Sequence, residues 1–570
     1  MEDKRTIIAM VLVGLIFLLM PAYYQLVGVS EPEPPLESHG DEAKPREEKT
    51  RAVPALVPMD PPADASEEDF PEPLGGLAGE PRDLQPERHV IVETPLQHLT
   101  FSTRGGVLAS ARLKEYKQGG GGPLELVPAG GAGLGVTVQP EAAEDVLVDL
   151  ASRHFEPDRD RMRVEADGEG RLRLRCELDD GRSIEKVIVV RGDQYGLQAG
   201  VSLHGFSNDS IVRLTWHGGI ALAERDPDLD LQRMKALAYI NESLYDVQVD
   251  EDEEDSDSER GSVGWVGVRS KYFLCALAPE SEARHRVTLY GAPNTQPPYR
   301  DYGFTLGTRW GDIEDGVWRL LVYLGPLDLE QVGRYDRDFD RAMDLGFPVV
   351  RQIATVLLTL FVAAYAIIPN YGWVIVAFGV VVKILVYPLT HKSYESAARM
   401  QELQPKIAAL REKYKNNNQK LSQETMKLYR EEGVNPLGGC LPLLLQMPIF
   451  IALYQVFSSA IQLRQTPWIL WVDDLSLPDT ITLGGFDLHV LPLLMSAAMF
   501  FQSKMTMKDP KQAALVYVMP VVMVFIMWSF SSGLVLYWTV FNVLQIAQQY
   551  LTNYLKKQKQ GGASTVPARS

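Results

Sequence analysis

Residues Tyr371–Leu389 read YGWVIVAFGVVVKILVYPL, an apolar run of near-bilayer length with one charge, Lys383, set inside it. A charged side chain in hydrocarbon costs at least about 2.5–3.5 kcal/mol on insertion scales, so its default place is a bundle interior or a wet cavity. Lys383 stands six residues before Leu389, about 9 Å from that end of a helix rising roughly 1.5 Å per residue. Snorkelling to the interface is the alternative.

Outward from this run the chain repeats the pattern. Apolar segments follow at Leu441–Ile461, Leu488–Ser503, Leu515–Phe530 and Gly533–Tyr554, and one opens the chain at Ile7–Met20. They predict six spans: an N-terminal signal-anchor helix within residues 1–28 and a five-helix core over 371–555. Pro21-Ala22-Tyr23-Tyr24-Gln25 lacks the small-x-small exit of a cleaved leader, and its tyrosines suit an interfacial anchor. Several spans are short for a hydrocarbon core of about 30 Å, which implies tilt or local thinning. Phe347–Ile368 is also apolar, but Arg351 and Gln352 break it and Pro369 closes it. A seventh span would invert every later loop, so the expectation within 336–370 is an amphipathic helix on the outer interface.

Loop charges set the orientation. With the N-terminus inside, His391–Gly433 is cytoplasmic and carries nine Lys or Arg. The next inside loop holds Lys504, Lys508 and Lys511, and the tail 556–570 holds Lys556, Lys557 and Lys559. Between Arg464 and Leu488 the chain has Asp473, Asp474, Asp479 and Asp487 against one arginine. Both termini are therefore expected in the cytoplasm.

The 570 residues carry a net charge of -18, and the acidity lies mostly between 30 and 345. It peaks at Asp250–Glu259 (DEDEEDSDSE), which reads as a solvated loop and argues against nucleic acid as a partner of this half. Residues 29–88 are rich in Pro, Glu and Asp and cannot bury enough surface to fold, so they read as a flexible tether. From His89 short alternating segments begin. Arg171–Leu178 alternates without a fault and Asp180-Gly181 supplies a hairpin turn before Ile184–Val190. Similar runs at Val90–Glu93, Val146–Leu150, Ile211–Trp216, Trp265–Leu277, Arg286–Tyr290 and Trp318–Leu324 predict an all-β sandwich over 89–335.

Chemistry-bearing clusters are sparse. The three cysteines, Cys176, Cys275 and Cys440, have no partner at metal-ligand spacing, and whether Cys176 and Cys275 pair is open. Seven of nine histidines lie in the outside half without a carboxylate at recognisable spacing. A sugar-active enzyme predicts a paired acid and base there; a solute transporter predicts internal repeats and broken helices. Neither signature stands out, and no cofactor or metal is expected.

On the inside, Met400, Leu403, Ile407, Leu410 and Tyr414 recur at steps of three and four, the seam of a helix pair. Pro405 should bend or break the first helix, Asn416–Gln419 makes the turn, and Ser422 can cap a second helix ended by Gly433. Residues 391–433 thus form a basic helical hairpin. Its exposed face is either simply solvated or a contact for anionic lipid, ribosomal RNA or an incoming polypeptide.

Several blocks carry a resemblance. Asn435-Pro436-Leu437-Gly438-Gly439-Cys440-Leu441-Pro442, followed by Gln446-Met447-Pro448-Ile449-Phe450, resembles the YidC family of membrane protein insertases. So do Tyr387-Pro388-Leu389-Thr390, Leu403-Gln404-Pro405-Lys406-Ile407 and Ser532-Gly533-Leu534-Val535-Leu536-Tyr537-Trp538, while Ser102-Thr103-Arg104-Gly105-Gly106 is similar to the start of the family's periplasmic domain. The resemblance implies a polytopic α-helical membrane bundle whose five-helix core surrounds a hydrophilic groove. It also implies a periplasmic β-sandwich similar in fold to sugar mutarotases but without their activity, and a bacterial inner-membrane location. Nascent inner-membrane proteins would be the substrates, with the Sec translocon and the ribosome as further partners. The family commonly has arginine where this chain has Lys383, so the charge is kept and the bidentate fork is lost.

Polar residues on other spans sharpen the groove. Gln446 and Gln455 on the third span, Gln502 on the fourth, and Asn542 and Gln545 on the sixth would each be costly facing lipid, yet together with Lys383 can line one wet cavity. Helix–helix hydrogen bonding is the competing use. Met447, Pro448, Met519, Met523 and Phe525 are the expected apolar contacts for a departing substrate helix, methionine being adaptable to varied partners.

Overall fold

The computed structural model describes residues 85–140, 147–249, 254–281, 283–297, 299–415, 417–433, 441–506 and 513–563. The expected anchor helix, nearly all of the tether, Cys440 and the end of the tail lie outside them. The described residues fall within one compact unit.

Alternation of side chains builds the β domain. In Glu169–Glu177, Leu172, Leu174 and Cys176 are buried while the arginines between them are exposed, and the pattern continues in Ser183–Arg191. The two pair antiparallel across the expected turn, where Gly181 takes φ +85 and its N–H bonds the carbonyl of Leu178. From this hairpin one sheet grows through Gly196–His204, Trp318–Pro326 and Phe273–Pro279 to the second half of Asp255–Arg269, then Lys235–Ile240 and Ser243–Val247. A second sheet runs Val148–Asp149, Ala132–Gln139, Ile211–His217, Arg300–Arg309, Arg284–Pro293 and back to the first half of Asp255–Arg269. A smaller sheet joins Arg161–Arg163, His89–Glu93, Gln97–Ser102, Leu108–Lys117 and Pro123–Glu125. Trp216, Trp265, Trp318 and Phe304 fill the core with their rings fully buried.

Two strand expectations need correction. Trp265–Leu277 is two strands, not one: Ser270-Lys271-Tyr272 turns the chain, closed by the Ser270 N–H on the Phe273 carbonyl. The acidic run is not wholly loop either. Asp255–Glu259 pairs with Arg284–Pro293, with Asp255 exposed and Asp257 and Glu259 half-buried, so none of the three carboxylates is fully desolvated. Cys176 and Cys275 are both buried, and no disulfide joins them.

The helical part begins with α1, Pro348–Tyr365, followed by α2, Tyr371–Glu402. Among the described residues α1 alone is long and apolar enough to cross a membrane by length and composition, with shorter apolar helices at Tyr371–Tyr387, Val490–Met505 and Val516–Met527. Asn370 starts α2, its side chain accepting from the N–H of Trp373 at 3.2 Å. Next come α3, Gln404–Lys413, and α4, Asn418–Glu431, which form the hairpin; Pro405 occupies the first turn of α3 and Leu403 marks the break. Leu403 and Ile407 are buried against Leu428 and Tyr429. The cap of α4 is Asn417, accepting from the Lys420 N–H at 3.0 Å, five residues before Ser422, because the helix starts inside the expected turn.

The remaining helices are α5, Leu441–Ser459, α6, Val490–Thr506, α7, Ala513–Met527, and α8, Ser532–Ala563. Helix α8 packs against α2, α5 and α6, α6 against α7, and α1 against α5. The segment between α5 and α6 supplies the missing partners of two helix starts. Asp479 accepts from the N–H groups of Val490 and Leu491 at 2.8 and 2.7 Å, and the carbonyls of Leu477 and Leu475 accept from Ser532 and Gly533.

Candidate polar site and the junction above it

On α2 the burial pattern is inverted relative to a helix in water. Lys383 is 7% exposed, while Val381, Ile384 and Leu385, the last at 71%, face outward. The ammonium donates to the Gln545 side-chain oxygen on α8 and lies 4.6 Å from the centre of the Phe541 ring. Asn542, one turn before Gln545, is buried, and its amide nitrogen has no hydrogen-bond partner among the described residues. One turn earlier again, the Tyr537 hydroxyl accepts from Gln446 of α5 at 3.0 Å, and its ring stands 6.1 Å from Phe541. Gln446, Tyr537, Phe541, Lys383, Asn542 and Gln545 therefore form a continuous polar and aromatic seam joining α5, α8 and α2.

Not every expected residue joins it. Gln502 on α6 is half-buried. Gln455 is elsewhere: a Cβ on Gly346 would meet its side chain at 3.4 Å, at the end of α5 where Ser459 bonds the Asp344 carbonyl. Nine residues at about 100° each put Gln446 and Gln455 on opposite faces of α5. Of the apolar residues, Met447, Pro448, Met519 and Phe525 are exposed, whereas Met523 packs partly into the core. Tyr537 and Phe541 were missed by the sequence reading, although their spacing of four and four with Gln545 was available as a signal.

A second buried cluster ties the β domain to the chain leaving α5. The Arg464 guanidinium donates to Glu224 at 2.6 Å and to the carbonyls of Lys117 and Ala223 at 2.7 and 2.9 Å. Asp230 accepts from the N–H groups of Ala223 and Glu224, and burial pushes its carboxyl upward. Burial also lowers the Lys271 ammonium and raises Asp474. Gln462 adds a 2.8 Å bond to Asp328.

A helical membrane-protein core with a buried polar seam, fastened to a large β-sandwich, defines the class. Sequence comparison supplies the family. Residues 363–560 match the model described as 60Kd inner membrane protein, and 89–360 match the YidC periplasmic domain. The chain is 32% identical to the membrane protein insertase YidC of Chlorobium luteolum over 97% of its length and 95% of that protein. It is also 32% identical to that of Chloroherpeton thalassium, covering 97% and 96%. A solved structure of an active YidC insertase with its first transmembrane domain resolved is 19% identical, with a TM-score of 0.37 over 82% of this chain and 93% of that one. The chain belongs to the YidC family of membrane protein insertases, inner-membrane proteins with a periplasmic domain.

Proposed function

We propose that this insertase works by lowering the cost of moving a polar segment half-way across the bilayer. The substrate is a nascent inner-membrane protein, received first on the basic hairpin of α3 and α4, where ribosome or anionic lipid also makes contact. Its polar segment enters beside Lys383, Gln446, Asn542 and Gln545, with Gln502 at the rim. Its apolar helix leaves along Met447 and Pro448 of α5 and Met519 and Phe525 of α7, with Met523 behind them. The protein does this alone or with the Sec translocon, in a six-span arrangement with both termini cytoplasmic and α1 on the outer interface. Helices of 15 to 19 residues, at roughly 1.5 Å per residue, fall short of an average bilayer, so thinning shortens the crossing further.

One observation carries the reading: a lysine is buried and donates a hydrogen bond to a glutamine side chain while the apolar residues flanking it are exposed. That arrangement is adverse in water and favourable in lipid. Net transfer is driven by partitioning of the apolar substrate segment. Placing a photo-crosslinking residue at Gln446, Met447 or Gln455 during synthesis of a substrate tests it. Adducts to the nascent chain are expected from the first two. Adducts from Gln455 alone would place the route on the wrong face of α5.

A further inference from the structure

The segment joining α5 to α6 carries a two-stranded ribbon, Ile481–Leu483 with Phe486–Leu488, turned by Gly484 and Gly485 at φ +59 and +87. Its pairs are Ile481 with Leu488, Thr482 with Asp487, and Leu483 with Phe486. Directly paired residues share a face and successive ones alternate, so the ribbon has an apolar face of Ile481, Leu483, Phe486 and Leu488. The opposite face is Thr482 and Asp487, hydrogen-bonded at 2.7 Å. Ile481 and Leu488, at the base, are half-buried; Leu483 and Phe486, at the tip, are 60% and 63% exposed. A lone two-stranded hairpin is marginal in water, and one with an uncovered apolar tip is worse.

We propose that this tip is an anchor seated in the outer leaflet of the membrane. The proposal rests on the reading of α5 and α6 as membrane helices. Arg464, which opens the same segment, is ion-paired to Glu224 of the periplasmic β domain, so the ribbon lies on the outer side. It ends two residues before α6, whose first turns expose Leu493 and Leu494, so the apolar tip continues the lipid-facing surface of that helix. The same segment presents Leu470, nearly fully exposed with φ +56, a backbone conformation that a bulky side chain rarely takes. Closing hydrogen bonds from Trp468 to Val472 and from Leu475 to Thr466 hold it there. Aromatic pairs typical of a membrane boundary stand beside it, Trp373 with Trp468 at 5.7 Å and Tyr365 with Tyr371 at 4.3 Å.

Area separates lipid from a protein partner. Leu483 and Phe486 together offer on the order of 300 Å², well below the roughly 800 Å² per side of a stable protein interface. Strands of three residues reach about 10 Å, the depth of an interfacial insertion. The two aspartates nearest the ribbon are engaged, Asp479 at the start of α6 and Asp487 with Thr482.

The test uses the full chain with Cys440→Ser, Cys176 and Cys275 being buried. Leu483→Cys, Phe486→Cys, Thr482→Cys and Val518→Cys are each labelled with an environment-sensitive fluorophore and reconstituted in phosphatidylethanolamine–phosphatidylglycerol vesicles. At 483 and 486 the emission should shift to shorter wavelength and be quenched by brominated acyl chains. At 482 aqueous iodide should quench instead. Labels at 483 and 486 open to iodide, or shielded from both quenchers by a second copy or another protein, overturn the anchor. The exposed α7 position 518 tests the membrane reading itself: loss of lipid quenching there sinks that reading, whereas its retention confines a failure to the ribbon.

Discussion

Arg464 and Glu224 meet at 2.6 Å with each side chain only 2% exposed, and 240 residues of chain separate them. The pair pins the start of the α5–α6 connection onto the β domain. The Lys117 and Ala223 carbonyls satisfy further guanidinium hydrogens, which is what a buried ion pair requires to offset its desolvation.

Removing one partner should therefore hurt more than removing both. Glu224→Ala strands a buried guanidinium and is expected to destabilise the junction by about 3–5 kcal/mol. Glu224→Leu with Arg464→Met should recover much of that. Thermal unfolding of the full chain in detergent, with limited proteolysis of the α5–α6 connection, reads the difference. Equal loss in the single and double variants would show that packing, not charge, holds the domains together.

The seam on α2 and α8 makes a charge prediction. Lys383→Glu should depress insertion of substrates with acidic translocated segments by roughly tenfold, equivalent to about 1.4 kcal/mol in a barrier. Lys383→Arg should be tolerated, since the charge is kept. Gln545→Leu, which deprives the buried ammonium of its amide partner, should fall between. Insertion into vesicles of one substrate with acidic and neutral tails is the measurement. Identical yields for wild type and Lys383→Glu would remove the electrostatic part of the mechanism and leave the rest of the seam standing.

How far these features were legible depended on whether the deciding physics was local. The Arg171–Leu178 hairpin was readable because alternation and an Asp-Gly turn are properties of adjacent residues. The inward aim of Lys383 was readable because the penalty of pointing outward is large whatever the neighbours are. Gln446 and Gln455 are alike in chemistry, and only the helical phase across nine residues separates them. Arg464 was invisible as a clamp, because Glu224 reaches it through tertiary packing. The turn inside the Trp265–Leu277 run was masked because Ser270 and Lys271, polar residues that an ordinary turn would expose, are buried, Lys271 beside Glu224, Asp230 and Asp474.

Helix α2 starts under a tight contact. A Cβ added to Gly372 would lie 2.0 Å from Cδ1 of Trp468, whose ring is already held edge-on to Trp373. Gly372→Ala should thus cost about 1–3 kcal/mol by overpacking, despite the better helix propensity of alanine. The double variant Gly372→Ala with Trp468→Leu should regain stability relative to Gly372→Ala. Thermal melting of the purified protein decides it, and a neutral or stabilising Gly372→Ala would mean the indole swings away freely.

The β domain contains an acid-sensitive group in His285. Its ring stacks on Trp318 at 5.8 Å, its Nε2 lies 3.1 Å from the Ser281 hydroxyl, and burial lowers its pKa from 6.5 to about 4. Asp312 is the carboxylate that partly opposes the shift. Because the folded value is depressed, the unfolded chain takes up a proton below about 6.5 that the folded chain resists until about 4. Stability conferred by the neutral ring is complete above that window and falls as the pH drops through it, by up to about 3 kcal/mol. His285→Phe keeps the stack and has nothing to protonate, so its stability relative to wild type should rise as the pH goes from 7 to 4.5. Hydrogen exchange of the Trp318–Pro326 strand in the full-length protein isolates this site from other titrating carboxylates. A difference between the two proteins that does not change with pH would show that the imidazole is free to charge where it stands.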